Sequence, residues 1–297
     1  MIKKEKDYVT LTNPKYDTPG TSLLVFHFEP QKGENAERQL AQAKIQIDSI
    51  DGKDVYSIDG YFSEKISDQM REISRNASFS RKSYGSLEGK EKGESPAQSM
   101  NNQEKWEFFA KPPQAIEELY GLFGLIGSKL DAKVSTLPWD LCDAKLCASA
   151  FATNRLERCS SESMNTGKHT DYDPVKGLPF AIPILSSEEK KYHPSNFING
   201  EAGKPLLVSA MLYVTEDNFC PEFGLGTIFC ENSGEVAKRL NCQHMRICIF
   251  EGDILHSIEK SNIPDNIHTW RISFVFKLMI NPNRLNVDLK NKLREIL

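Results

Sequence analysis

The second half of the chain is built from short apolar segments that alternate with turns. Clear examples are Leu206 to Val214 (LLVSAMLYV), Arg246 to Phe250 (RICIF) and Trp270 to Met279 (WRISFVFKLM). Runs of this length that are rich in β-branched, aromatic and aliphatic residues are typical of strands, and segments such as Gly224-Leu225-Gly226 between them are typical of turns. So many short strands predict a double-sheet jelly roll over residues 150–280.

The first half of the chain carries helical patterns instead. Ile66, Met70 and Ile73 recur on one helical face behind Ser63, which is suited to cap the helix, and Pro113 to Leu130 has a second apolar face. Helices followed by strands predict an α+β fold, with a jelly-roll core braced by N-terminal helices. We expect one domain over residues 1–297: a support region at 1–149, the core at 150–280 and a polar helix at 281–297.

Two segments are expected to lie outside this scaffold. Residues 80–105 are rich in Ser, Gly, Glu, Lys, Gln and Asn, and such a composition cannot bury enough apolar surface to offset its ordering entropy, so a flexible loop is predicted. The segment from Lys176 to Pro205 is long for a hairpin connection. With Lys168 and Tyr172 it is a candidate for the mouth of the barrel, where a substrate would enter.

Composition narrows the functional classes. The formal net charge is −4 and the pI about 5.9, so no overall basic field attracts nucleic acid or anionic membrane. The basic residues near the loop form one modest cluster of Arg71, Arg75, Arg81 and Lys82. No apolar run approaches the roughly 18–20 residues of a membrane-spanning helix, and the Lys-rich N-terminus lacks the apolar core of a signal peptide. Seven cysteines without a CxxC pair favour reduced thiols and a cytoplasmic location.

A candidate metal site lies within the strand-rich region. His169 and Asp171 are two residues apart, which places both side chains on one face of a strand, and His256 follows on a later strand. Two imidazoles and one carboxylate form the facial triad of non-haem Fe(II) oxygenases, although zinc hydrolases use the same donors. His268 remains an alternative to His256, and Asp173 an alternative to Asp171.

A candidate anion site follows the metal site. Arg271 and Ser273 alternate on the last long strand and therefore share a face. A guanidinium forms a bidentate pair with a carboxylate, and a serine hydroxyl can donate a further bond to the same group. A buried arginine requires an anionic partner, so the pair predicts a site for an acidic cosubstrate.

Residues 150–280 resemble the catalytic core of the 2-oxoglutarate/Fe(II)-dependent dioxygenases, and the helix after Ser63 resembles the bracing helix of its prolyl-hydroxylase-like members. The resemblance rests on His169-Thr170-Asp171, on His256 behind Phe250-Glu251-Gly252-Asp253, and on Arg271-Ile272-Ser273. It implies a double-stranded β-helix that binds Fe(II), 2-oxoglutarate and O2. The implied reaction couples conversion of 2-oxoglutarate to succinate and CO2 with oxidation of a C–H bond, and Tyr213 is implied as a further donor to 2-oxoglutarate.

The substrate is open at this stage. A hydroxylase of a small molecule or of a protein side chain is favoured, and the oligomeric state is not indicated by the sequence. A nucleic-acid oxygenase that acts on a methylated base would need more basic surface than the Arg71 to Lys82 region offers. A non-catalytic cupin-like binding protein is the third alternative, and the complete set of candidate ligands argues against it.

Overall fold

The computed structural model describes residues 26–29, 35–83, 94–136, 151–157, 168–172, 198–284 and 287–297. These residues contain five α-helices and thirteen β-strands. The helices are α1 (Asn35–Gln42), α2 (Glu64–Asn76), α3 (Asn102–Ala110), α4 (Gln114–Leu130) and α5 (Leu289–Ile296). The strands are β1 (His27–Phe28), β2 (Lys44–Ile50), β3 (Lys53–Asp59), β4 (Ser80–Ser83), β5 (Glu94–Ser99), β6 (Ala132–Thr136), β7 (Phe151–Leu156), β8 (Leu206–Thr215), β9 (Thr227–Cys230), β10 (Val236–Leu240), β11 (Ile247–Glu251), β12 (Leu255–Ile258) and β13 (Arg271–Pro282).

The strands form two antiparallel sheets. The major sheet has ten strands in the order β2-β3-β11-β8-β13-β7-β5-β4, with β6 beside the second half of β13 and β1 beside β6. The minor sheet has the order β10-β9-β12. The structure therefore confirms an α+β architecture with mostly antiparallel sheets.

The two faces of the major sheet carry different cores. One face packs against the helices in a large apolar cluster that includes Ile116 and Phe123 of α4 together with Phe274 and Phe276 of β13. The other face packs against the minor sheet, where the Phe229 and Phe250 rings lie 5.1 Å apart. Helices, major sheet and minor sheet thus form successive layers.

Strand β13 positions the site because it runs between β8 on one side and β7 and β6 on the other. Alternate residues of a strand point to opposite faces of its sheet. Ile272, Phe274 and Phe276 join the helix-side core. The residues of β13 that line a cavity on the side of the minor sheet are Arg271, Ser273, Val275 and Lys277.

The predicted helices begin where their sequences indicate. Ser63 is the N-cap of α2, and its hydroxyl accepts a hydrogen bond from the backbone N–H of Ile66 at 3.4 Å. Helix α4 follows Pro113 and ends at Leu130. Near the C-terminus, β13 extends to Pro282 and the helix begins at Leu289, so the predicted helix over 281–297 starts too early.

Within residues 80–105, for which a flexible loop is predicted, the described residues at both ends form regular elements. Strands β4 and β5 pair within it, and α3 begins at Asn102. The side chain of Thr153 in β7 bonds the Ser99 hydroxyl at 3.1 Å and the backbone N–H of Met100 at 3.0 Å, which attaches β5 to the sheet. Tertiary hydrogen bonds offset the poor apolar content of this segment. Residues 84–93, like 176–197 of the predicted insert, lie outside the described residues.

Two further expectations can be compared with the structure. Cys220, Cys230, Cys242 and Cys248 are free thiols. Among the described residues, no helix combines the length and the apolar character needed to cross a membrane.

Candidate metal centre and adjoining cavity

His169, Asp171 and His256 come together at the edge of the minor sheet. Each offers one ligand atom, and these atoms all lie within 4.8 Å of one another. The Nε2 atom of His256 is 3.8 Å from Oδ2 of Asp171, and the Nε2 atom of His169 is 4.0 Å from Oδ1. This spacing suits three donors around a single ion.

Backbone pairing brings the two histidines together. His169 and His256 form an isolated antiparallel bridge in which each backbone N–H donates to the other residue's carbonyl at 2.9 Å. The backbone N–H of Tyr172 then donates to the carbonyl of Gly252 at 2.7 Å. The segment around Asp171 is therefore held along β12, and residues far apart in the chain become neighbours.

His256 is prepared to act as a neutral donor. Its Nδ1–H donates to the carbonyl of Ile254 at 2.9 Å, which leaves the lone pair of Nε2 directed at the cluster. Burial lowers the pKa of His256, and the nearby Asp171 carboxylate opposes this only in part. A neutral imidazole with one nitrogen bound to a carbonyl is the usual form of a metal-ligating histidine.

Asp171 is buried and ionised. Its Oδ2 accepts a hydrogen bond from the Ser209 hydroxyl at 2.6 Å, and its Oδ1 lies 2.7 Å from the Lys277 ammonium. Burial alone would raise the pKa of the Asp171 carboxyl, but the positive charge of Lys277 and the hydrogen bonds from Lys277 and Ser209 hold it well below its usual range. The carboxylate is thus fixed in orientation and available to a cation.

A cavity of about 200 Å³ adjoins the three residues. Its wall also includes Arg271 and Ser273, and the Arg271 side chain is among the most deeply buried in the protein, with 1% of its surface exposed. Arg271 donates from one terminal nitrogen to the Ser273 hydroxyl at 2.9 Å, and its guanidinium carbon lies 5.7 Å from the centre of the Tyr213 ring.

The charge of Arg271 is not matched by a protein carboxylate within the described part of the chain. No ion pair joins it to an aspartate or glutamate there, and its buried Nε has no hydrogen-bond partner. Burying an unpaired guanidinium is costly, so such a group is retained where an anion binds to it. The wall of the cavity thus carries this unpaired guanidinium together with the three candidate ligands.

Tyr213 lies beside Arg271 but its hydroxyl is already engaged. It is bonded to the Thr227 hydroxyl at 2.5 Å, and burial keeps the pKa of Tyr213 well above its ordinary value. Thr227, unlike Tyr213, lines the cavity. Tyr213 thus supports the arginine with its ring and orients Thr227, while its role as a donor to an anion stays a prediction.

The structure distinguishes the candidate metal ligands from those alternatives that lie among the described residues. His268 is exposed and is not part of the cluster around Asp171. His244 joins α2 to β8 and takes no part in the cluster either. Its Nδ1 accepts from the backbone N–H of Thr215, and its Nε2 donates to the Ser67 carbonyl, each at 3.2 Å. Asp173 lies outside the described residues.

Sequence reasoning missed two polar residues of this site. Lys277 and Ser209 both contact Asp171, and both interrupt strands that are otherwise strongly apolar. That interruption was the available signal, because a charged residue inside a central strand needs a partner. The structure also corrects one expectation at the barrel mouth, since Tyr172 is buried with 2% of its surface exposed.

Comparisons with known proteins add little to the geometry. No protein-family model matches the chain, and no curated protein matches it. A solved structure of prolyl 4-hydroxylases from Phytophthora capsici is 12% identical with a TM-score of 0.34, and the match covers 78% of this chain and 60% of that one. A prolyl-4-hydroxylase of Pseudomonas putida is 10% identical with a TM-score of 0.31, over 84% of this chain and 100% of that one. TM-scores this low decide neither the fold nor the function of this chain.

Proposed function

We propose that the protein is an Fe(II)- and 2-oxoglutarate-dependent dioxygenase that hydroxylates a C–H bond of a small molecule or of a protein side chain. The observation that carries the proposal is one cavity whose wall holds a compact His₂-carboxylate cluster and a buried arginine that pairs with no carboxylate of the described residues. This chemistry requires a facial metal site and a binding site for a diacid. The candidate residues for both line the same cavity.

The metal would be held by His169, Asp171 and His256. The donor set fits Fe(II), because both imidazoles offer Nε2 and the carboxylate is ionised. When bound, Fe(II) supplies the oxygen activation that couples oxidation of 2-oxoglutarate, to succinate and CO2, to hydroxylation of the substrate. The protein residues orient the ligands: Ile254 fixes the His256 ring, and Ser209 fixes the carboxylate.

The distal carboxylate of 2-oxoglutarate would be held by Arg271 and Ser273. The guanidinium has an unpartnered Nε, and its bond to the Ser273 hydroxyl at 2.9 Å keeps the two side chains together on one wall of the cavity. A charged fork and a hydroxyl are suited to a carboxylate. This arginine also favours the oxygenase over a zinc hydrolase, because hydrolysis does not require a diacid cosubstrate.

The fold and the substrate class belong to the same proposal. We take the major and minor sheets to be the halves of a double-stranded β-helix, with the metal centre between them and the substrate entering beside the exposed imidazole of His169, whose side chain is 50% exposed. Nucleic acid is not favoured as a substrate. Arg71 and Arg75 are paired with acidic residues, including Asp217 at 2.6 and 3.1 Å, and offer no unmatched basic surface.

Oxygen consumption tests the proposal. Metal-free protein is supplied with Fe(II), 2-oxoglutarate or both, and oxygen uptake and succinate are followed together in the presence of a library of small molecules and peptides. We expect oxygen uptake only when both Fe(II) and 2-oxoglutarate are present, with one succinate formed for each oxygen consumed. Asp171→Ala should show neither. Oxygen uptake without succinate, or succinate that forms equally well without iron, would contradict the proposal.

A further inference from the structure

Lys277 is a second cation in the cavity, and the proposed function gives it no role. It is on the same face of β13 as Arg271 and Ser273, four residues beyond the serine. Its ammonium lies 2.7 Å from Oδ1 of Asp171, and its side chain is only 14% exposed. A long, cationic side chain therefore reaches the candidate metal ligand from the wall of the cosubstrate cavity.

The contacts of Asp171 show how the Lys277 ammonium is held. Ser209 bonds Oδ2, the oxygen nearer His256, and Lys277 bonds Oδ1, the oxygen nearer His169. Both oxygens are thus engaged, and one of them is engaged by a full positive charge. A divalent ion that binds Asp171 must share the carboxylate with that charge or displace it.

The charges of the cavity indicate what would satisfy Lys277 after the metal binds. Among the described residues of the wall, the charged side chains are Arg271, Lys277 and Asp171, and with neutral histidines they leave one net positive charge. A divalent ion would raise this to three positive charges in a largely buried space. A dianion offsets two of them, and like charges at close range become tolerable only with such compensation.

We propose that Lys277 couples metal loading to cosubstrate binding: its ammonium competes with the metal for Asp171 in the empty site and turns to the dianionic cosubstrate in the loaded site. This inference rests on the proposed function. Because coupling between two ligands is reciprocal, the diacid would strengthen metal binding by the same factor by which the metal strengthens diacid binding. Lys277 is a positioning residue in this account, since it acts through Asp171 and through the anion's charge.

The account predicts opposite changes in two affinities when the charge is removed. Lys277→Met should bind a divalent metal about tenfold more tightly in the absence of diacid, because the competing ammonium is gone. The same variant, loaded with metal, should bind 2-oxoglutarate about tenfold more weakly, the scale of one lost charged hydrogen bond. A side chain that only supports the fold would weaken both, or change neither.

Anaerobic calorimetry with Mn(II) and then with 2-oxoglutarate measures both affinities. Lys277→Arg keeps the charge and should shift both affinities less than Lys277→Met does. Lys290→Met is a matched control, because Lys290 also pairs with a buried carboxylate, Glu251 at 2.6 Å, but does not line the cavity. If Lys277→Met does not fold, the neutral Lys277→Gln carries the same two predictions.

The outcomes are separable from those of the proposed function. Mn(II) affinity that is unchanged or lower in Lys277→Met overturns the inference, as does unchanged affinity for 2-oxoglutarate. A wild-type protein that binds Mn(II) but never binds 2-oxoglutarate overturns the proposed function and the coupling together. Tighter metal binding with weaker diacid binding, absent from the Lys290 control, supports the coupling.

Discussion

Replacing Arg271 by methionine should leave the unliganded protein about as stable as the wild type, although the side chain is almost completely buried. Truncating a buried residue normally destabilises a protein, because it creates a cavity or breaks a pair. Arg271 differs because its Nε has no partner and no carboxylate within the described residues pairs with it. Methionine is unbranched and of similar length, so it fills much of the same space.

The magnitude follows from the contacts that Arg271 makes. An unsatisfied buried polar group costs about 1–3 kcal/mol, and removing it regains that amount. The bond from the charged guanidinium to the Ser273 hydroxyl contributes about 1.5 kcal/mol and the Tyr213 ring about 0.5–2 kcal/mol, and both are lost. These contributions nearly cancel, so we expect the free energy of unfolding to change by less than about 1.5 kcal/mol. Binding of 2-oxoglutarate should weaken at least about tenfold, because a charged hydrogen-bond pair is lost.

Urea unfolding of the metal-free protein and calorimetry with 2-oxoglutarate measure the two quantities. Arg246→Met is the control, because Arg246 forms two 2.7 Å bonds to Asp59 and its loss should destabilise the fold without affecting 2-oxoglutarate. A loss of more than about 3 kcal/mol in Arg271→Met, the scale of a broken buried pair, would refute the reasoning, since the arginine would then be serving the fold. Unchanged affinity for 2-oxoglutarate would place the carboxylate elsewhere.

Three further predictions concern the residues around the site. Asp171→Ala should abolish Fe(II)-dependent succinate formation while the circular dichroism spectrum stays native. Undiminished succinate production would show that Asp171 is not a metal ligand. Ser209→Ala should weaken Mn(II) binding by about 10–100-fold, since the hydroxyl orients the Asp171 carboxylate at 2.6 Å, and an unchanged titration would show that it does not. The pKa of His244 is lowered to about 4 by burial and by nearby Arg71. As the pH falls, His244 therefore takes up a proton in the unfolded state before it does so in the folded state. The free energy of unfolding should fall by about 1–2 kcal/mol between about pH 6.5 and 4, a figure reduced to allow for solvent screening. Urea midpoints of His244→Gln should show a shallower fall, and parallel curves would contradict this cause.

Local patterns in the sequence were sufficient to predict the strand that carries Arg271 and Ser273 and the starts of two helices. The alternation along Trp270 to Met279 places Arg271 and Ser273 on one face, and the structure has that strand and that face. Ser63 and Pro113 indicate where α2 and α4 begin. In each case the determining interactions lie within a few residues, so the sequence contains the information.

Elements that depend on distant partners escaped prediction. Helix α1 buries only Leu40, and strand β2 fully buries only Ile50 at its end, so neither presents an extended apolar face. Strand β5 is attached by Thr153 of β7, a contact that no local pattern contains. The same limit hid the contact between Lys277 and Asp171, because it depends on which strand faces which in the folded protein.

Fe(II) and 2-oxoglutarate are proposed to bind in one cavity, and visible absorption reports whether they do. Fe(II) is added to metal-free protein under anaerobic conditions, followed by 2-oxoglutarate, with Arg271→Met and Asp171→Ala in parallel. We expect a visible charge-transfer band that appears only when both Fe(II) and 2-oxoglutarate have been added. The band should be absent in Asp171→Ala, and Arg271→Met should need at least about tenfold more 2-oxoglutarate to develop it. A protein that binds Fe(II) tightly but develops no band at any concentration of 2-oxoglutarate would contradict this expectation.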